Sequence, residues 1–305
     1  MVDFVKLAIP KDKRQCLEGN SLLNFILQVS EKTGEVSNKK IAGYKGLKFI
    51  IWNSGYIELQ GSLHKYYNQG EHNYNDFTLL HLQEALKDLS LRFNIEFGRL
   101  TVKNIEFGVN LQPQWASSLI LNNCLLVGAT RIKDVSLSVT RYNYKQATKQ
   151  RLWLKLYDKK KQYQAKHNLT NEILHYELKY KKMIDLKEVG FYCLDDLTKP
   201  SILKPVNSLL IKYWDSVLLF DKTIKKKELR KHTRDVKLNQ WSNPNYWLEL
   251  TPKKREKQRL LYSTIVDKHS DKIHLHIRSL INEKWNTLTK KEGIINRHFI
   301  NLKRE

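Results

Sequence analysis

Ile173-Leu174-His175-Tyr176-Glu177-Leu178-Lys179 is the stretch whose reading decides the fold. Side chains alternate across a β-strand, so residues two apart share a face. On that basis His175, Glu177 and Lys179 lie on one side, with Leu174, Tyr176 and Leu178 on the other. The same split recurs upstream. In Tyr56–Gln60, Ile57 and Leu59 face one way and Glu58 the other. In Ile105–Asn110, Ile105, Phe107 and Val109 oppose Glu106, Gly108 and Asn110. In Leu152–Tyr157, the leucines oppose Trp153, Lys155 and Tyr157. If these strands share a sheet, its polar face gathers Glu58, Glu106 and Glu177 around Tyr157, with lysines beside them.

Around these strands the patterning predicts a first strand at Val2–Ile9, stopped by Pro10, and a helix at Ser21–Val29. Strands follow at Leu47–Trp52 and Tyr56–Gln60, joined by the turn Asn53-Ser54-Gly55. A helix follows Asn75-Asp76, either of which could cap it, with Leu79, Leu82, Leu86 and Leu89 as its apolar stripe. Further strands are expected at Arg99–Leu111, Cys124–Val127, Val135–Thr140, Leu152–Tyr157 and Ile173–Lys181, then a helix at Val206–Phe220. This mixture gives an α+β class: a central, largely antiparallel sheet with helices on one face, followed by a small helical C-terminal region. The boundary falls near residue 222, giving a segment 1–222 and a basic segment 223–305.

Composition narrows the function. The 305 residues carry 54 Lys+Arg against 31 Asp+Glu, a net charge of +23. Such charge favours a polyanionic partner, because neutralising phosphates releases counterions. A hydrophobic content of 41% supports a packed core, and 12 Gly with 6 Pro exclude a collagen-like or Gly/Ser filament. Cys16, Cys124 and Cys193 are odd in number and widely spaced, which suits neither a disulfide scaffold nor a zinc ribbon and fits a reducing cytoplasm. No stretch approaches a membrane span, and Met1–Lys6 lacks the pattern of a signal peptide.

Carboxylates gathered on one face would hold a hard divalent cation, Mg²⁺ or Mn²⁺. Such an ion polarises a scissile phosphate. A tyrosine hydroxyl could attack phosphorus and form a covalent link, with Lys159 stabilising the developing charge. Alternation alone does not establish this, because any half-exposed sheet alternates for packing reasons.

The blocks Ile57-Glu58-Leu59-Gln60-Gly61-Ser62-Leu63-His64-Lys65-Tyr66 and His72-Asn73-Tyr74-Asn75-Asp76-Phe77 resemble the phage and plasmid replication proteins of the gene II/X type. So do the opening Met1–Pro10 and the order Asn104-Ile105-Glu106, Leu156-Tyr157-Asp158-Lys159, Tyr176-Glu177-Leu178-Lys179. The resemblance spans about residues 1–220, and Gly61-Ser62-Leu63-His64-Lys65 is its most specific block. It implies a rolling-circle Rep nuclease-like fold and a nicking-closing enzyme. In such an enzyme a tyrosine cuts one origin strand, keeps the 5′-phosphate and frees a 3′-OH. By position the nucleophile falls on Tyr157, its lysine on Lys159, and the metal ligands on Glu106 and Glu177, with Glu58 and His64 as neighbours. Glu106 stands where relatives often carry Asp. The implied partners are duplex and single-stranded origin DNA in a bacterial cytoplasm, with a host helicase and polymerase and with room for a homodimer.

Three readings compete with this one. Asp158 and Glu177-Leu178-Lys179 have the spacing of a D…ExK nuclease, which uses water. A non-catalytic DNA-binding protein would explain the charge alone. His274-Leu275-His276 has the form of a histidine pair for metal, but it lies in a region that reads as helix, where i and i+2 diverge. For DNA contact the candidates are Lys65, Lys155, Lys160 and Lys179 near Tyr157. Further along they are Lys253, Lys254, Arg255 and Arg259 on a helix expected at Lys253–Lys268. Two more helices are expected at Lys225–Gln240 and Asp271–Thr287. Trp241, Tyr246 and Trp247 read as core of the helical region.

Overall fold

The computed structural model describes residues 1–135 and 143–290. The strands are β1 (Val2–Ile9), β2 (Ile26–Val29), β3 (Val36–Tyr44), β4 (Leu47–Trp52), β5 (Ile57–Ser62) and β6 (Thr101–Leu111). After these come β7 (Cys124–Val127), β8 (Thr130–Arg131), β9 (Lys133–Asp134), β10 (Tyr144–Thr148), β11 (Leu152–Asp158), β12 (Leu174–Tyr180) and β13 (Val217–Leu219). Ten of them form one sheet in the order β2-β3-β4-β5-β1-β6-β12-β11-β10-β9. Every pairing in it is antiparallel. The expected α+β class with a central antiparallel sheet is what the chain adopts.

Six helices matter for the site and the core: α1 (Leu63–Tyr67), α2 (Leu79–Phe93), α3 (Lys159–Tyr163), α4 (Pro200–Asp215), α5 (Pro252–His269) and α6 (Ile273–Thr289). Helices α2, α4 and α6 cover the apolar face of the sheet. Phe93 of α2 meets Phe49 at 4.7 Å between ring centroids, Trp214 of α4 meets Tyr176 at 5.6 Å, and Trp285 of α6 meets Phe107 at 6.0 Å. The leucine stripe of α2 is buried as expected, since each leucine recurs one helical turn on and faces the same core.

A second apolar cluster joins Leu126, Leu218, Phe220, Trp241, Trp247 and Tyr262 beside the small sheet β13-β7-β8. Trp241 and Trp247 are therefore core, as read. Residues beyond 222 do not all pack together: α6 returns to the main core through Ile277, Ile281 and Trp285. No helix among the described residues is long and apolar enough to cross a membrane.

The structure corrects several element assignments. Ser21–Val29 is not a helix. Its last four residues are edge strand β2, paired with β3, with Ile26, Leu27 and Val29 exposed. Short apolar runs fit both periods, and Asn20, whose side-chain oxygen accepts the Leu22 N–H, turns the chain instead. The cap of α2 is Thr78, which accepts the His81 N–H at 3.2 Å, rather than Asn75 or Asp76. The helix expected at Val206–Phe220 starts at Pro200, whose missing N–H costs nothing in a first turn. It ends at Asp215, and Val217–Leu219 pairs with β7 as a strand. The helix expected at Lys225–Gln240 begins only near residue 231, after a single 3-10 turn at Lys226–Glu228, and its π-helical stretch Thr233–Lys237 runs directly into Leu238–Ser242. The strand expected at Val135–Thr140 lies, beyond Val135, outside the described residues.

Trp285 gives a direct test of the packing. It is fully buried and donates its indole N–H to the Leu203 carbonyl at 3.2 Å. Trp285→Ala leaves a cavity and an unpaired acceptor, so it should cost about 3–5 kcal/mol. Urea unfolding reads this as a lowered midpoint, and an unchanged midpoint would remove α6 from the core.

Candidate active site

The polar face gathers its groups at one end. Strand register sets Tyr157 opposite His175, and His175 opposite Asn110. The next pair along sets Lys155 opposite Glu177, and Glu177 opposite Gly108. The rings of Tyr157 and His175 lie 4.6 Å apart. Gly108 is the low point of this floor: a Cβ there would come within 2.8 Å of the Glu177 Cβ and 3.0 Å of His175 Nε2. Glycine therefore lets the two side chains lie close over β6.

Asp3 joins this group, and sequence reading missed it. Plain alternation sends residues 3, 5, 7 and 9 to the same face, and Val5, Leu7 and Ile9 are core. The register of β1 against β6 shifts between Val2 and Val5, however, so both valines point inward. This irregularity turns Asp3 toward the polar side. Its Oδ1 accepts the Ser62 hydroxyl and its Oδ2 accepts the Asn73 amide at 2.6 Å. Asp3, His175 and Glu177 each offer a ligand atom, all within 4.8 Å of one another, and all three residues are buried. A cavity of about 10 Å³ touches Asp3, His64, Gly108, Asn110 and His175. By their chemistry two carboxylates and one imidazole, each offering one ligand atom, fit a single divalent cation of the Mg²⁺ or Mn²⁺ kind.

Cations surround the group. Lys155 contacts Glu177 at 2.5 Å and Glu106 at 2.9 Å, and Lys179 contacts Glu106 at 2.6 Å. Burial alone would lower the Lys155 pKa, but Glu177 and Glu106 hold it above the usual lysine value. Burial, helped by the charge of Glu177, pushes Glu106 up to about 7. Lys159 is fully buried, donates to the Asn73 carbonyl, and lies 5.8 Å from the Tyr157 ring centroid. Burial brings its pKa down to about 8. Asp3 is held below the usual carboxylate range: burial would raise it, but Lys159, His64 and the Ser62 hydroxyl outweigh that. Burial and the Lys159 charge hold His175 well below its ordinary value.

The other candidates are placed as follows. Glu58 does not join the cluster: it is buried two strands from Glu106 and paired with Lys6 at 2.9 Å. Glu106 lies beside the group but is committed to Lys155 and Lys179. His64 lines the same cavity, stacks on Phe77 at 4.9 Å and bonds Asn75 Oδ1 at 2.7 Å. Burial and Lys159 bring its pKa down to about 3. Tyr163 is buried and donates its hydroxyl to Asn73 Oδ1 at 2.7 Å.

Four of the lysines and arginines expected to contact DNA have partners within the chain. Lys155 and Lys179 neutralise carboxylates of the sheet face instead of facing outward. Arg255 donates to the carbonyls of Trp247, Leu248 and Leu250, closing the end of the short helix Pro244–Glu249. Arg259 is half-buried and donates to the Ser216 carbonyl at 3.2 Å. Lys253 and Lys254 are exposed, Lys65 is half-buried, and Lys160 pairs with Glu172 at 3.2 Å. Asp158 lies in register with Leu174, on the face opposite Glu177, and its carboxylate caps α3 at the Lys161 N–H. The D…ExK constellation is therefore not assembled. His274 stacks on Trp214 and His276 meets Trp115 within helix α6, so that pair is packing.

The fold and the site define an α+β chain whose sheet carries a tyrosine and a His–Asp–Glu group at one end, with a buried lysine at the start of the adjoining helix α3. No protein-family profile matches the chain, and no curated protein matches it. Among solved structures it is similar to a rolling circle replication initiator protein from Geobacillus stearothermophilus. The identity is 9% and the TM-score 0.43, over 95% of this chain and 98% of that one.

Proposed function

We propose that this chain is a rolling-circle replication initiator that cuts one strand at an origin through Tyr157 and later rejoins it. The observation that carries this is the packing of Tyr157 on His175, within one group with Glu177 and Asp3, above the buried Lys159. The gene II/X resemblance of the short blocks supports the same reading. A divalent cation held by Asp3, His175 and Glu177 would supply Lewis-acid polarisation of the scissile phosphate. Tyr157 Oη forms a bond to phosphorus as the bond from phosphorus to the 3′-oxygen breaks. The phenol proton goes to solvent, and the 3′-oxygen takes one up. No water is consumed, so the phosphotyrosine keeps the phosphodiester's energy for rejoining. Lys159 stabilises charge near the phenol oxygen, and Lys155 keeps the Glu177 and Glu106 carboxylates together on one face.

The test is a nicking assay on supercoiled, origin-bearing DNA with Mg²⁺ or Mn²⁺, followed by mass mapping of the adduct. An adduct on Tyr157 is expected. Specific binding with no nicking under either metal would favour a non-catalytic DNA-binding protein. Lys253 and Lys254 should contribute phosphate contacts, so each alanine variant should lower the log–log salt slope by about 1. Arg255→Ala should instead lower the melting temperature and leave the slope unchanged. A reversed pattern would return Arg255 to the DNA surface.

A further inference from the structure

Asn110 sits beside the site with every polar atom committed. Its side-chain nitrogen faces the carbonyl oxygens of Asn73, Tyr74 and Asn75 at 3.1, 3.0 and 3.2 Å. Carbonyls only accept, so this end must be the NH₂ group; the flipped amide would set one oxygen against three others. The amide oxygen is thereby turned to His175 Nδ1, at 2.6 Å. An amide oxygen also only accepts, so Nδ1 carries the proton. Nε2 is the ring nitrogen left to face Glu177. Glu177 Oε2 lies 2.8 Å from that Nε2. Asp3 offers a third ligand atom, and one such atom from each of the three residues lies within 4.8 Å of the others.

We propose that Asn110 is a positioning residue: it locks His175 in the Nδ1–H tautomer, so that Nε2 is presented, together with Glu177 and Asp3, to a divalent cation. The opposite tautomer would donate Nε2–H to Glu177 and close both ligand atoms in one hydrogen bond. The three carbonyls that orient Asn110 belong to the connection between α1 and α2. The same connection holds Asp3 through the Asn73 side chain. One amide thus fixes the ring nitrogen and anchors the segment that steadies a second ligand. An outer partner of this kind tunes metal affinity without touching the metal.

This inference rests on the cation reading above, and the experiment separates the two. Long-range ¹H–¹⁵N NMR of the His175 ring in metal-free protein reads the tautomer, and calorimetry with Mn²⁺ alone reads the site. The wild type should show protonated Nδ1 with a lone-pair shift at Nε2, and should bind Mn²⁺. Asn110→Ala should move the proton to Nε2 and weaken Mn²⁺ binding about 10–100-fold. Mn²⁺ binding by a wild type with Nε2–H, or with a doubly protonated ring, overturns the Asn110 role alone. Nδ1–H without any Mn²⁺ binding overturns the cation reading and the role built on it. The wild-type measurement needs no variant, so misfolding of Asn110→Ala does not blunt the test.

Discussion

Tyr157→Phe is expected to abolish the covalent adduct and to lower origin nicking by at least about 10³-fold, the scale of losing a group that acts only in the transition state. The change removes one oxygen and keeps the ring. That ring packs on His175 at 4.6 Å and on Tyr144 at 5.6 Å, and phenylalanine preserves both contacts. Stability should move by less than about 1.5 kcal/mol. DNA affinity should change little, because the proposed phosphate contacts at Lys253 and Lys254 lie on α5. Nicking rate, adduct yield and DNA binding are therefore expected to part company. Full nicking by the variant would mean that water is the nucleophile. An adduct moved to Tyr163 in the wild type would transfer the role to that residue, which shares Asn73 with Lys159.

The same chemistry explains which parts of the site were legible. Tyr157, His175, Glu177, Lys155 and Asn110 share strands of regular alternation, so period two was enough to put them on one face. Asp3 escaped because one irregularity in β1 reverses its face, and no residue type at positions 2–5 announces a bulge. Glu58 obeys the alternation as well as Glu106 does. Strand order separates them: β1 lies between β5 and β6, and Lys6 on β1 takes Glu58 out of the group. Alternation fixes the face, while lateral position depends on pairings between strands far apart in the chain. The basic run Lys253–Arg259 shows a related limit. Spacing reveals that the segment is helical and charged, but Arg255 and Arg259 turn inward to carbonyls that only the folded neighbours supply.

Glu177→Gln tests the centre of the site with the smallest change of shape. The variant keeps a side chain of the same length against Gly108 and Lys155 but removes the charge. It should abolish the Mn²⁺-dependent rise in melting temperature and lower nicking by about 10³-fold, while origin binding persists. The cost to the metal-free fold should be modest for a reason local to this face. Lys155 keeps Glu106 at 2.9 Å, so no buried ammonium is stranded. The variant also removes a negative neighbour that, after burial, helps push Glu106 up to about 7. Glu106→Gln is the informative contrast. It lies outside the Asp3–His175–Glu177 group, so Mn²⁺ should still raise the melting temperature, with nicking reduced through the freed Lys179, while Lys155 keeps Glu177. Loss of Mn²⁺ binding in Glu106→Gln and its retention in Glu177→Gln would relocate the cation to the Lys155–Lys179 side of the sheet. Retention in both would leave the carboxylates as partners of lysine alone.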